Sequence, residues 1–258
     1  MKILRYIAVS FSLYSKIPMP RFEWKEDDME HSLSFFPFVG LVTGLIAYGI
    51  YSLLTYFEVQ AVVKAIVSVI IPILVSGGIH LDGYMDTQDA LRSYKPTEEK
   101  LRILKDPHTG AFAIIGLFVC LLLSIASLTV IFDNADNKLL ILLGLTLMLS
   151  RILSGLSSLL LKKAKEDGML AGETKNKRKS VIVFLLIQLT VLFACMLYIN
   201  IFVTLIIFAA FLVCLLCYMH MTKKEFGGVT GDTAGYFVTV SETVNLIVIA
   251  IIVMTGII

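Results

Sequence analysis

Residues 111 to 132 read AFAIIGLFVCLLLSIASLTVIF, an apolar run that contains no charged side chain. A helix of this length spans the hydrocarbon core of a bilayer, which is about 30 Å thick. The whole chain shares this character, because 57% of its 258 residues are hydrophobic, 16% are charged, and the mean hydropathy is +0.86. Soluble domains are about 45–50% apolar and about 25% charged. The composition therefore argues against a water-soluble globular enzyme.

Seven apolar runs of this kind are predicted to be transmembrane helices. They fall at about residues 35–57, 60–79, 111–132, 139–161, 181–199, 201–219 and 242–258. Only Asn200 separates the fifth run from the sixth, which favours a tight hairpin. The prediction is an all-α polytopic integral membrane protein, with one membrane-embedded domain over residues 1–258. Residues 1–30 are expected to form a cytoplasmic or interfacial segment.

The basic residues are distributed unevenly between the loops. Of the 22 Lys and Arg residues, 19 lie in the N-terminal segment or in the connections that follow the second, fourth and sixth runs. Lys and Arg are enriched in cytoplasmic loops, so the N-terminus is predicted to be cytoplasmic and the C-terminus external. A net charge of +2, with no basic stripe that alternates with aromatic residues, argues against nucleic acid as a partner. The active site is therefore expected at the cytoplasmic ends of the helices.

Three acids follow directly on the second apolar run, in the stretch Gly77-Gly78-Ile79-His80-Leu81-Asp82-Gly83-Tyr84-Met85-Asp86-Thr87-Gln88-Asp89-Ala90. Asp82, Asp86 and Asp89 are spaced by four and three residues, so a helix places them within an arc of about 60°. Carboxylates crowded beside lipid repel one another unless a cation lies among them. Oxygen ligands favour Mg²⁺, which one or two carboxylates and substrate phosphates commonly hold. The pattern predicts a Mg²⁺ site; the alternative is a helix start whose acids face water.

Two further segments carry groups suited to phosphate. The first contains Arg102, Lys105, Asp106 and His108 and ends where the third apolar run begins. Its cations suit anionic oxygens at a helix N-terminus, although the positive-inside bias alone also explains them. The second, residues 227–235, holds four glycines with Thr230 and Asp232, and such a chain can turn its N–H groups toward an anion.

Two single residues leave alternatives open. His80 precedes the first acid by two residues and lies off the face that the acids share. It is a base, a phosphate donor or only an interfacial residue. Arg151 lies within a span, where an unpaired guanidinium is costly, so it faces a polar interior or pairs with a carboxylate of the bundle.

The acidic stretch from Gly77 to Asp89 resembles the signature of the adenosylcobinamide-GDP ribazoletransferases, a family also called cobalamin-5′-phosphate synthases. The resemblance covers nearly the whole chain. Its other elements are Lys16-Ile17-Pro18-Met19-Pro20, Phe36-Pro37-Phe38-Val39-Gly40, Leu104-Lys105-Asp106 with Gly110, Ser150-Arg151, Glu166-Asp167-Gly168 and Gly227-Gly228-Val229-Thr230-Gly231-Asp232. The sequence departs from the family at Ala90, His108 and Lys16, where Gly, Arg and Arg are common.

The resemblance implies a Mg²⁺-dependent membrane enzyme of adenosylcobalamin biosynthesis, in a bacterial or archaeal cell membrane. Members join adenosylcobinamide-GDP to α-ribazole or its 5′-phosphate and release GMP. It implies that Asp82 and Asp86 bind the metal, with Asp89 as a third ligand or an acid behind the ligands. The substrate contacts that it implies are Lys16, Arg102, Lys105, Asp106, His108, Arg151, Thr230 and Asp232. Asp82, Asp86 and His80 remain alternative candidates for the base that takes the ribazole hydroxyl proton.

Three other classes of protein fit the sequence less well. A CDP-alcohol phosphotransferase expects two further Asp after a Gly-Ala-Arg stretch, a pattern that Gln88 and Ala90 interrupt. An Asp-rich prenyltransferase needs a second Asp-rich helix, which Asp232 alone does not supply. A cation transporter would carry its polar groups at mid-depth in two halves, whereas here they cluster at one surface. The expected partners are small-molecule substrates and membrane lipid, and the sequence leaves open whether the chain forms a homo-oligomer.

Overall fold

The computed structural model describes residues 2–134, 136–164, 170, 174 and 179–256. Within these residues the chain is helical, apart from an isolated β-bridge between Lys163 and Val229. A π-helical turn at Thr222–Phe226 follows the helix Ile201–Met221. The helices are α1 (Lys2–Tyr14), α2 (Glu26–Glu30), α3 (Ser32–Tyr56), α4 (Ala61–Ser76), α5 (Ile79–Arg92), α6 (Thr97–Ile103), α7 (Ala111–Asn134), α8 (Asn137–Leu160), α9 (Lys179–Ile199), α10 (Ile201–Met221) and α11 (Gly231–Met254).

Six of these helices are long and apolar enough to cross a membrane, namely α3, α7, α8, α9, α10 and α11. A seventh crossing forms if α4 and α5 count as one broken span. The predicted class, an all-α polytopic membrane protein, is confirmed. The prediction for the last span was wrong at its start, because α11 begins at Gly231 and not near residue 242. Gly, Thr and Asp at its start lower the hydropathy, yet Thr233 in this turn is fully buried.

The chain bends sharply where the second apolar run ends. Gly77 and Gly78 both have positive φ angles, of 66° and 83°, which side chains with a Cβ rarely adopt. These two residues turn α5 by 95° from the axis of α4. Asp89 of α5 contacts Gly110 at the start of α7, and Gly83 lies against Asp232 at the start of α11, so α5 lies across one end of the bundle.

The core of the bundle is built around α8. Two thirds of its apolar window is buried inside the protein, against 28% for α9 and α10. Leu142, Leu149 and Ile152 are fully buried and pack in one cluster with residues of α3, α9 and α10. Apolar side chains cover the outside of α7, α9 and α10, as a lipid-facing surface requires. The central helices therefore face protein and the peripheral ones face lipid.

The predicted hairpin at Asn200 is confirmed. The Oδ1 atom of Asn200 accepts a hydrogen bond from the backbone N–H of Val203 at 3.0 Å, which caps the start of α10 directly after α9 ends. Capping by Asn satisfies one of the N–H groups that a helix start leaves without a partner. A single polar residue thus closes one helix and opens the next.

The N-terminal segment packs on the bundle. The guanidinium of Arg5 pairs with the carboxylate of Asp28 at 2.6 Å and lowers the pKa of that carboxyl. The ring of Tyr6 stacks on His31 at 4.3 Å, so α1 is tied to the entry of α3. Further along, the N–H of Lys16 donates to the carbonyl of Val75 at 2.7 Å, immediately before the bend.

The predicted orientation can be tested directly with single cysteine reporters, after the native cysteines are replaced. A cysteine at Lys224 should resist an impermeant thiol reagent in intact cells, and one at Asn134 should react. Both residues are exposed and they lie at opposite ends of the helices. The reverse labelling pattern would exclude an N-terminus in the cytoplasm. Lys177, another basic residue on which the prediction depends, lies outside the described residues.

Candidate active site

Segments far apart in the sequence meet at one end of the bundle, the polar end. It is formed by α5, α6, the loop 104–110, the turn that precedes α11, and residues 162–164. The N–H of Val229 donates to the carbonyl of Lys162 at 2.8 Å, and Ala164 donates back to Val229 at 3.0 Å. Lys100 of α6 forms an ion pair with Glu225 of the π-helical turn, and its side chain is buried. These contacts join the connections that precede α7, α9 and α11 into one surface.

The three acids of α5 form the carboxylate face, defined as Asp82, Asp86 and Asp89. Asp82 is exposed, whereas Asp86 is partly buried. Burial, followed by repulsion from Asp82, Asp232 and Asp89, raises the pKa of Asp86 to about 6. The crowding of carboxylates that the spacing predicts is therefore present at this face, and a cation among them would relieve it.

The Gly-Asp motif before α11 reaches the same place. A Cβ at Gly83 would lie 2.6 Å from the carbonyl oxygen of Asp232, so the two backbones approach as only glycine allows. Thr230 caps the helix, since its hydroxyl accepts from the N–H of Thr233 at 3.1 Å. The positive end of the α11 dipole thus lies beside the carboxylate face, where it favours bound anions.

Asp89 differs from the other two acids in its partners. Its Oδ2 accepts from the N–H of Gly110 at 2.6 Å and its Oδ1 accepts from the N–H of Ala113 at 2.8 Å. In the part of the chain that the structure describes, no three Asp, Glu, His or Cys side chains form a group that could hold a metal ion. The described residues therefore contain no cage of three such ligands.

The predicted cations lie on an exposed loop beside this face. Arg102 and Lys105 are exposed at and after the end of α6. Asp106 accepts hydrogen bonds from the backbone N–H of His108 at 3.0 Å and pairs with its ring at 2.7 Å. These two bonds lower the pKa of the Asp106 carboxyl. Asp106 and His108 shape the loop, and their contacts with substrate stay a prediction.

Lys16 also reaches the polar end. Its aliphatic chain lies against the backbone of Gly77, where an added Cβ would overlap it. The residue is exposed beside the start of α5. The N-terminal segment therefore touches the bend that orients the carboxylate face.

His80 and Arg151 lie inside the bundle, on the other side of α5. The ring of His80 packs 5.7 Å from that of Phe36, and its Nε2 is buried without a hydrogen-bond partner. Arg151 is 2% exposed and pairs with Glu242 at 2.7 Å. Both residues line a cavity of about 170 Å³ within the bundle. The structure therefore separates them from the carboxylate face, and their contacts with substrate stay predictions.

The ion pair of Arg151 predicts a large cost when one partner is removed. Glu242→Gln leaves a buried guanidinium without its counter-charge, so we expect a loss of about 3–5 kcal/mol in the free energy of unfolding. Replacing both residues with apolar ones of similar size should recover most of that loss. The measurement is unfolding by denaturant in detergent micelles.

The exposed pair Lys95–Glu99 provides the matched control, since its side chains are 57% and 51% exposed. Glu99→Gln should change the free energy of unfolding by less than about 1 kcal/mol. An equally small effect of Glu242→Gln would show that the intramembrane pair is not structural.

The sequence did not predict two acidic partners of buried cations. Glu242 is the partner of Arg151, and Glu225 is the partner of Lys100. Each acid lies more than 90 residues from its cation, so no local spacing signals the pair. A lone Glu within an apolar run was the available signal for Glu242. Glu166, Asp167 and Gly168, which the resemblance also highlights, lie outside the described residues.

The fold and the site define a class, the integral membrane transferases, in which an apolar helix bundle carries carboxylates and cations at one end. A family model described as cobalamin-5-phosphate synthase matches residues 6–250. The chain belongs to this family.

Relatives named adenosylcobinamide-GDP ribazoletransferase match along most of their length. The protein of Lachnoclostridium phytofermentans is 38% identical over 94% of this chain and 92% of its own. That of Clostridium botulinum is 32% identical over 95% and 96%, and that of Halalkalibacterium halodurans is 31% identical over 90% of each chain. No solved structure matches the chain at a significant level.

Proposed function

We propose that the chain transfers the adenosylcobinamide phosphate group of adenosylcobinamide-GDP to α-ribazole or α-ribazole 5′-phosphate and releases GMP. One observation carries this proposal beyond the names of the relatives. The carboxylate face, the loop with Lys105 and the N-terminus of α11 meet at the polar end, although they are far apart in sequence. The same three segments carry the resemblance to the family.

The reaction exchanges the phosphoanhydride bond of the donor diphosphate for a phosphoester bond. A hydroxyl oxygen of the ribazole forms a bond to the phosphorus that carries the cobinamide, and the bond from this phosphorus to the GMP oxygen breaks. A base takes the hydroxyl proton, and GMP leaves with the electron pair. Such a transfer depends on alignment and on neutralising charge more than on a covalent nucleophile.

In this proposal Asp82 and Asp86 hold Mg²⁺, and the phosphates of the substrate complete its ligands. The donor set supports this assignment, because the acids that repel Asp86, namely Asp82, Asp232 and Asp89, all offer hard carboxylate oxygens. When bound, the ion neutralises negative charge on the diphosphate oxygens. Because His80 turns into the bundle, the proposal assigns the role of proton acceptor to Asp82 or Asp86.

The cations of the polar end supply the remaining charge in this proposal. Lys105 and Arg102, both exposed beside the carboxylate face, bind the diphosphate or the GMP part of the donor. The positive end of α11, capped by Thr230, contributes further attraction for an anion. The charge bias of the loops supports a polar end on the cytoplasmic side of a bacterial membrane.

The proposal is tested by incubating purified protein in lipid nanodiscs with adenosylcobinamide-GDP, α-ribazole and Mg²⁺. Mass detection of a cobalamin product together with an equal amount of GMP is the expected result. Chelation of divalent cations should stop both. Parallel reactions with a CDP-alcohol or a prenyl diphosphate test the rival enzymes. Turnover of one of these, with no GMP from the corrinoid donor, would overturn the proposal.

A further inference from the structure

Asp89 is the acid of the carboxylate face that the proposed chemistry leaves without a role. Its two oxygens accept hydrogen bonds from the backbone at the start of α7, from Gly110 at 2.6 Å and from Ala113 at 2.8 Å. The first N–H groups of a helix have no partner within it, and a negative charge there is stabilised by the helix dipole. Asp89 therefore caps α7 from another helix.

The same region of α5 holds the other end of the loop 104–110. Leu104 is buried in a cluster with Ala90 and Phe226. Asp89 and Ala90 are consecutive, so one turn of α5 anchors the loop at both ends, by a hydrophobic contact and by the cap. Residues 105 to 109 between these anchors are exposed. Lys105 begins the exposed stretch between these anchors, so the path of the loop that carries it depends on both the Leu104 contact and the Asp89 cap.

We propose that Asp89 is a positioning residue, which caps α7 and thereby holds Lys105 over the carboxylate face to meet the diphosphate of the donor. This inference rests on the proposed function. It differs from a metal-binding role for Asp89, because here both carboxylate oxygens serve to hold backbone N–H groups.

Other contacts keep the helices together when the cap is removed. The hydroxyl of Tyr84 donates to the carbonyl of Gly116 at 3.1 Å and joins α5 to α7 independently. Lys100 and Glu225 hold α6 to the π-helical turn. Loss of the cap should therefore release the loop without unfolding the bundle.

The experiment compares two variants that break the cap from opposite sides. Asp89→Asn replaces one acceptor oxygen by a donor that repels an N–H group. Gly110→Ala leaves Asp89 intact, but its methyl carbon would lie 2.6 Å from both carboxylate oxygens and displace them. Gly49→Ala is the matched control, because nothing lies within 4 Å of the added methyl group.

In both cap variants we expect the KM for adenosylcobinamide-GDP to rise about 10- to 100-fold, which is the effect of losing a charge-assisted contact. The KM for α-ribazole and the Mg²⁺ concentration for half-maximal rate should change less than about twofold. Hydrogen exchange should become faster at the amides of residues 110–113 and stay unchanged elsewhere. Gly49→Ala should match the wild type in every reading.

Two results would overturn the inference. A rise in the Mg²⁺ requirement of Asp89→Asn, with unchanged exchange at residues 110–113, would make Asp89 a metal ligand. Equal losses for both substrates with a lower thermal midpoint would make it a purely structural residue. If the wild type shows no turnover, the proposed function fails, and the exchange measurement alone still decides whether Asp89 caps α7.

Discussion

Asp82→Asn and Asp86→Asn should each lower turnover by about 100-fold or more, the scale of losing one electrostatic contact to the transition state. Each substitution keeps the size of the side chain and removes a charged oxygen from the proposed Mg²⁺ site. The two residues lie on the face of α5 where carboxylates crowd, next to the start of α11. Steady-state rates at saturating substrates, measured across a range of Mg²⁺ concentrations, provide the test.

The stability of these variants separates a functional role from a structural one. Burial and repulsion raise the pKa of Asp86 to about 6, so at pH 7 the carboxyl is still mostly ionised and its charge destabilises the folded protein relative to the unfolded chain. Asp86→Asn removes that repulsion, and we expect its thermal midpoint without Mg²⁺ to be equal to or above that of the wild type. Loss of activity with undiminished stability would show that Asp86 acts in the reaction and not in folding.

Asp133 provides the matched control for these substitutions. It is exposed at the end of α7, next to the connection that enters α8. Asp133→Asn should keep the turnover of the wild type. Near-normal turnover of both Asp82→Asn and Asp86→Asn, at normal expression, would exclude the carboxylate face as the metal site.

Lys105→Ala should weaken the use of adenosylcobinamide-GDP by about 10- to 150-fold, since a charge-assisted hydrogen bond contributes about 1.5–3 kcal/mol. The KM for α-ribazole should change much less, because that substrate carries no diphosphate. Lys105 is exposed on the loop that Asp89 and Leu104 anchor to α5. Varying each substrate in turn, on correctly inserted protein, separates the two effects.

Lys95→Ala tests whether the result for Lys105 reflects only the positive-inside bias. Lys95 lies in the same connection, and its side chain is 57% exposed beside Glu99. It contributes the same charge to topology but lies before α6, away from the anchored loop. We expect its kinetics to equal those of the wild type. Equal small losses for both substrates in Lys105→Ala would show that the loop only orients the protein.

Much of the fold follows from local sequence. The apolar runs predict the membrane helices because each spans the bilayer with its own backbone hydrogen bonds, whatever its neighbours are. Gly77 and Gly78 mark the break before α5, and the spacing of Asp82, Asp86 and Asp89 predicts one face. Hydropathy could not predict the start of α11, because its Gly, Thr and Asp residues are accommodated there by packing against α5.

Local sequence patterns could not predict contacts between residues that lie far apart in the sequence. From their spacing alone, Asp89 is equivalent to Asp82. In the structure, however, the two oxygens of Asp89 accept hydrogen bonds from Gly110 and Ala113, which lie 21 and 24 residues further along the chain. Arg151 within a span predicts a polar neighbour, and only the packing of α8 against α11 identifies Glu242. The sequence places His80 off the acidic face without showing that its ring turns into the bundle.

The sequence by itself determined the membrane class, the number of apolar runs to within one, and the helical face that carries the acids. These properties depend on hydropathy and on a period of 3.6 residues, which act within one segment. Tertiary structure alone decided which carboxylates remain available to bind a ligand and which cap a helix or form an ion pair. That choice depends on where helices cross, because a hydrogen bond at 2.6 Å forms only after Gly110 has been brought beside Asp89.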